Sequence, residues 1–157
     1  YLLSSSLQKT HKPLSQLDEV LDEIVVIGIC EQLLRTLYQL HRSGVTVGNL
    51  HANNVFIDMS HPEDVLLTDV GFTYMPEMAP VADMQLAFGA PETRGLCGDE
   101  LHRVINDSSG SSDIYSLGKI ALYLLSGDPS YSAEDVKASV WPETYELLRY
   151  MLREDPH

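Results

Sequence analysis

The residues whose types could do chemistry lie between Val47 and Glu92. Amides and an imidazole crowd one loop, Val47-Gly48-Asn49-Leu50-His51-Ala52-Asn53-Asn54, and Asp69-Val70-Gly71 follows two apolar runs further on. Gly89-Ala90-Pro91-Glu92 closes the stretch. A carboxylate can accept a hydroxyl proton, whereas an amide such as Asn49 can orient a hydroxyl but takes no proton at a useful pKa. Singly, each motif reads as a turn. Asn tolerates left-handed geometry and bonds its own backbone, and tripeptides such as Asp-Val-Gly and Ala-Pro-Glu are common. Cys30 and Cys97 form neither a metal nor a redox spacing. Cys30 falls inside an apolar helical pattern, as a small buried hydrophobe would.

The elements that must position these residues follow from periodicity. Residues 1–14, with Ser4-Ser5-Ser6 and Lys12-Pro13, read as a connector. Ser15 with Asp18 three residues on predicts a capped short helix through Glu23. Val26, Ile29, Cys30, Leu33, Leu37 and Leu40 recur at steps of three and four, which predicts a helix over 24–42 with one apolar stripe. Gly44 is placed as its C-terminal cap. After a short extended piece, 45–47, and the loop, strands over 55–58 and 65–68 are expected as a hairpin with Pro62 in its turn.

Residues 72–88 hold two prolines, Pro76 and Pro80, and no sustained period, so they read as loop. A short helix is expected near Pro91. A polar stretch then runs from Gly98 to Ser112, with 106–110 expected to be mobile. Ser112 is placed to cap a helix over 113–126, where Ile114, Leu117, Ile120, Ala121, Leu122, Leu124 and Leu125 leave almost no polar face. A helix apolar nearly all round is buried on all sides, so this one is the expected core. Ser132 and Asp135 suggest a second capping box and a helix to about Ser139. Pro142 opens a last helix over 143–153, its stripe made by Tyr145, Leu148, Met151 and Leu152. The fold class is α+β, predominantly helical, with one small hairpin.

At 157 residues the chain suits one domain. Its net charge of −13, from 23 acidic and 10 basic residues, argues against nucleic acid or an anionic membrane as partner. The acidic excess reads as a solvated face. No run approaches the ~18 apolar residues of a membrane span, and no signal peptide is visible. The chain opens at Tyr1 and closes at Asp155-Pro156-His157, and reads as an excerpt of something longer. The compartment stays open, with an intracellular one favoured.

Order turns weak motifs into a strong set. A long helix, a loop ending in Asn54, a hairpin, Asp69-Val70-Gly71, Ala90-Pro91-Glu92, and Asp113-Ile114-Tyr115-Ser116-Leu117-Gly118 opening a buried helix follow one another. That series resembles the C-terminal lobe of the eukaryotic protein kinase superfamily, over about Ser15 to the end, with Asp155-Pro156 matching the lobe's closing motif. The implied organisation is a connector over 1–14 and a partial kinase domain over 15–157. The N-terminal lobe, with its Gly-rich loop and strand lysine, is absent from the excerpt.

The resemblance implies roles. Asn54 and Asp69 would hold Mg and, through it, the phosphates of ATP; the alternative is that no cofactor is bound. Asp113 would accept hydrogen bonds from the catalytic-loop backbone. Glu92 matches a buried glutamate whose arginine partner lies beyond this chain, and Gly71 completes the Asp69-Val70-Gly71 turn. The departures weigh more. The histidine, arginine and aspartate slots of the family's triplet hold Val47, Gly48 and Asn49. His51 stands in the basic slot, Gln85 where many kinases have a threonine facing the loop, and Val70 where a phenylalanine fills an apolar pocket. Thr73 and Tyr74 are the only hydroxyls between Asp69 and Glu92. Losing the base costs ~10²–10⁴ in rate.

Three functions follow from the resemblance. The leading one is a pseudokinase, a kinase fold kept as a protein-binding, allosteric or scaffolding module, leaning away from enzyme activity. Its surfaces include a groove between the helix at 132–139 and the activation segment. Its partners would be other proteins and its own N-terminal lobe in the parent chain. The second is an active, atypical protein kinase using ATP and Mg. The third is a purely structural subunit of a larger assembly, binding neither nucleotide nor metal.

Overall fold

A computed structural model describes residues 11–70, 82–108 and 110–153. The described residues form a helical body with a three-stranded antiparallel sheet on one side. The sheet order is β1 (His11–Pro13), β2 (Val55–Asp58), β3 (His61–Leu67). Val55 pairs with Leu67 and Ile57 with Val65, and an irregularity beyond Ile57 brings Asp58 opposite His61. Met59 and Ser60 therefore make the turn, with the Ser60 N–H donating to Asp58 Oδ1 at 2.8 Å. Pro62, expected in that turn, lies inside β3. It is tolerated there because β3 is an edge strand. Part of the stretch read as a connector, His11–Pro13, is paired as β1.

The helix expected over 15–23 does not form. Leu14–Gln16 makes one 3₁₀ turn, Leu14 is fully buried, and the Ser15 N–H donates to the Ala52 carbonyl at 3.1 Å. The long helix α1 (Glu23–Arg42) buries Val26, Ile29, Cys30, Leu33 and Leu37 and stops at Gly44, which takes φ 75°.

Two further stretches were underread by periodicity. Within 72–88, helix α2 (Ala82–Phe88) forms, anchored by buried Phe88 against the edge of the Tyr123 ring. Within the polar stretch, α3 (Gly98–Asp107) forms on two buried residues one turn apart, Leu101 and Ile105. Residues 106–107 close that helix and Gly110 starts the next. Two apolar positions in ten are enough when a neighbour covers them, but they make a faint pattern. Pro91–Thr93 forms a 3₁₀ turn.

Helix α4 (Ser111–Ser126) is the core. Leu117, Ile120 and Leu122 are fully buried, and α1, α2 and α6 pack around it. Its N-cap is Gly110 at φ 89°, rather than the expected Ser112. The short α5 (Ala133–Val136) carries the expected capping box, the Ser132 N–H donating to Asp135 Oδ2 at 2.8 Å. It ends before Ser139. Helix α6 (Pro142–Met151) starts at its proline and buries Tyr145, Leu148 and Met151. Among the described residues, no helix is long and apolar enough to cross a membrane.

Candidate functional site

The loop at 47–54 is held from below by α4. Asp113, with no exposed surface, accepts from the Val47 N–H at 2.9 Å and the Gly48 N–H at 2.7 Å. His41 Nε2, at the end of α1, lies 2.8 Å from Asp113 Oδ2. An ionised carboxylate only accepts, so the imidazole proton facing it sits on Nε2. Gly110 makes room for that ring. A Cβ at 110 would fall 2.4 Å from His41 Cε1, and φ 89° already disfavours a side chain. Gly48 takes φ 66°, so the position that carries arginine in the kinase triplet has glycine geometry here.

The loop is also tied internally. Asn54, 1% exposed, accepts from the His51 N–H at 3.0 Å and donates to the Asn49 carbonyl at 2.6 Å. Its own carbonyl receives the Thr68 N–H at 2.8 Å, which joins the loop to the end of β3 just before Asp69. Asp69 is exposed and takes φ 57°, a left-handed conformation that aspartate adopts more readily than most residues. That turn carries Val70 off the end of β3. Val70, expected to fill an apolar pocket, is 41% exposed.

His51 is buried, and its Nδ1 accepts from the Asn53 N–H at 3.2 Å. Burial pushes its pKa below the ordinary 6.5, with Asp69 nearby pulling the other way. The ring is therefore biased to the neutral form with its proton on Nε2. Asn49 is half-buried at the loop's centre. The loop thus ties Asn49, His51 and Asn54 together, with Asp69 near enough to act on the His51 charge and Asp113 beneath. Gly71, Thr73, Tyr74 and Asp155-Pro156 lie outside the described residues.

Glu92 is exposed in its 3₁₀ turn and forms no ion pair among the described residues. Gln85 is buried, and its side-chain bonds run to the segment after α2. Its side-chain amide donates to the Thr93 carbonyl and, at 3.1 Å, to the Leu96 carbonyl, so it holds the turn after α2. His41 and Gly110 were not singled out in the sequence. A histidine three residues before a capping glycine is a faint signal, and Gly110 sits in a stretch that reads as loop.

The test for a divalent ion is the donor set. Asp69 offers an exposed carboxylate that, among the described residues, accepts only a long bond from the Thr68 hydroxyl, 3.5 Å, while Asn54 Oδ1 keeps one lone pair beyond its bond from His51. Mg²⁺ is commonly held by one or two carboxylates together with substrate phosphates, so the pair suits a shared site with nucleotide and not a closed protein cage. No cluster of three His, Cys, Asp or Glu exists among the described residues.

A crystal structure of Rad53 residues 1–466 in complex with AMP-PNP superposes with a TM-score of 0.64 at 23% identity, over 87% of this chain and 37% of that one. The fold is that of a protein-kinase C-terminal lobe. Sequence relatives agree. A Caenorhabditis elegans protein named as a candidate tyrosine-protein kinase is 27% identical over 126 residues, 76% of this chain. The serine/threonine-protein kinase max-2 of the same organism is 28% identical over 114 residues, 73% of this chain. The leucine-rich repeat receptor-like serine/threonine-protein kinase SKM1 of Arabidopsis thaliana is 31% identical over 126 residues, 80% of this chain. The kinase lobe described here spans 37, 16 and 11% of those three relatives. No protein-family model matches the chain.

Proposed function

We propose that this kinase lobe serves a pseudokinase, working as a protein-binding and allosteric module and not as a phosphotransferase. One observation carries the reading. The loop is braced by Asp113 below and by Asn54 within, yet its reactive position holds Asn49. Phosphoryl transfer is mostly positioning and charge stabilisation, with an aspartate orienting and deprotonating the acceptor hydroxyl. An amide can orient that hydroxyl but cannot take its proton. His51 does not replace the missing base, because its bare Nδ1 is spent on the Asn53 N–H.

ATP with Mg²⁺ remains within reach of such a module. Asp69 would be the charged ligand and Asn54 Oδ1 a neutral one, with the metal supplying charge neutralisation to the phosphates. That pair is also what favours the second reading, an active atypical kinase. A purely structural subunit would use neither residue.

The deciding measurement is radiolabelled phosphate transfer by the full-length protein, to itself and to generic substrates, with wild type, Asn49→Asp and Asp69→Asn. Equal background in all three is expected. Restoring Asn49→Asp alone should give little gain, since Gly48 and His51 leave the surrounding contacts unbuilt. Robust wild-type turnover that vanishes in Asp69→Asn would overturn the proposal in favour of the atypical enzyme. A thermal-shift titration with ATP, with and without Mg²⁺, separates both from the structural subunit. Stabilisation that needs the metal and is lost in Asp69→Asn is the expected outcome.

A further inference from the structure

A second cavity lies away from the loop, between α4, the segment leading into α5, and α6. Its volume is about 340 Å³, and Tyr115, Lys119, Tyr131 and Arg149 are among its walls. Lys119 is the anomaly. It sits in the helix that forms the apolar core, is only 9% exposed, and is about 9 Å further along that helix than Asp113. A buried ammonium is rare unless it is paired. Its bond to the Tyr131 carbonyl, 3.0 Å, uses one of three donors.

Charges of both signs surround it, and no carboxylate forms a direct ion pair with it among the described residues. Arg94 donates to the Tyr115 hydroxyl at 3.1 Å and lies over that ring, close enough to repel the Lys119 ammonium. Burial first, and then Arg94, push the Lys119 pKa down, with Asp128 opposing. The Asp128 carboxylate also accepts the Ser130 N–H at 2.8 Å, which leaves its charge in place. Glu134 also lines the cavity, but it accepts the Tyr145 O–H and is flanked by Lys137 at 3.7 Å. Arg149 completes the wall, with Nη1 3.5 Å from Glu146 and the Glu134 carboxylate near its guanidinium. Two of the ten basic residues of an acidic chain, Lys119 and Arg149, thus line one polar hollow, with Arg94 on the Tyr115 ring beside it.

We propose that this cavity is an oxyanion site that takes a phosphate monoester, held by the Lys119 ammonium and the Arg149 guanidinium with Arg94 at its edge. A dianion relieves the repulsion between Lys119 and Arg94 and supplies acceptors for their remaining donors. Guanidinium suits it because its fork matches phosphate geometry. A phosphate monoester offers three terminal oxygens to the two cationic side chains of the lining, where a carboxylate offers two. The inference gives the proposed binding module a ligand chemistry and rests on that reading to this extent. Anion binding is measured without phosphate transfer, so the failure of one is distinguishable from the failure of the other.

The test is calorimetric titration of the full-length protein with inorganic phosphate and with O-phosphoserine. Saturable binding is expected. It should weaken about 10- to 100-fold in Lys119→Met and about tenfold in Arg149→Gln, the loss of one charge-assisted contact each. Tighter binding of O-phosphoserine assigns the site to a phosphorylated side chain, and equal binding assigns it to free phosphate. Because Lys119 is packed in the core helix, the exposed Arg149→Gln decides the matter if Lys119→Met does not fold. No saturable binding by wild type, or binding unchanged in Arg149→Gln, overturns the proposal.

Discussion

Asp113 and Asp69 bracket the same loop, and they differ in every physical respect. Asp113 is fully buried and faces two backbone N–H groups and one imidazole. Asp69 is exposed at the end of a strand, in a left-handed conformation, with an open carboxylate. The first couples the core helix to the loop. The second points its chemistry at whatever arrives from outside. The difference teaches that one carboxylate can hold a loop as part of the core while another beside the same loop stays exposed to solvent. Support is enforced by folding, because every chain must satisfy its buried donors. Among the described residues the Asn49 side chain makes no such contact with Asp113, and Asn54 holds only its backbone carbonyl.

The largest break in that comparison is Asp113→Ala. It strands the Val47 and Gly48 N–H groups and removes the acceptor facing His41 Nε2. Each unsatisfied buried group costs roughly 1–3 kcal/mol. A loss of about 3–5 kcal/mol is expected in denaturant unfolding of the full-length protein, a large part of a typical domain's 5–15 kcal/mol. Asp69→Asn, by contrast, should leave the unfolding midpoint within about 0.5 kcal/mol, as exposed positions usually do. Equal effects from the two aspartates would erase the distinction.

That contrast also marks what was legible beforehand. The core helix, the long α1 and Asp113 were read from dense apolar periodicity and an ordered motif series, where many residues report the same thing. Helices α2 and α3 were missed because one anchor, Phe88, or one pair, Leu101 and Ile105, suffices when a neighbour covers it. Pro62 was placed in the turn because residue type alone does not say which strand is at the edge. At the site, Asn49, Asn54 and Asp69 were legible as positions. Asn54's engagement on both ends, His41's service to Asp113 and Gln85's grip on 93–96 were not. Such bonds join residues far apart in sequence, and no local pattern encodes them.

A smaller test concerns Gln85, which supports the segment following α2 as Asp113 supports the loop. Gln85→Ala frees the Thr93 and Leu96 carbonyls. Because the 93–96 turn has exposed neighbours that water can reach, the expected cost is about 1–2 kcal/mol. A Gln85→Met variant, which keeps the side chain's bulk but not the donors, separates hydrogen bonding from packing. If Gln85→Met is as stable as wild type, the side chain acts there by filling space.

The smallest expected effect belongs to His51, and its sign can be worked out. Burial lowers its folded-state pKa below the ordinary 6.5, while the unfolded chain keeps the ordinary value. The unfolded state therefore binds more protons as the pH falls below that value. The stability tied to neutral His51 is present above 6.5 and is lost as the pH drops through the lower folded value. Protonation would also cost the Asn53 N–H its acceptor, since Nδ1 would then carry a proton of its own. Asp69 works against the shift, so Asp69→Asn should steepen the acid loss and His51→Gln should flatten it. Unfolding midpoints between pH 7 and 5 for wild type and the two variants measure both slopes. If the three curves run parallel, His51 is not held neutral by its burial.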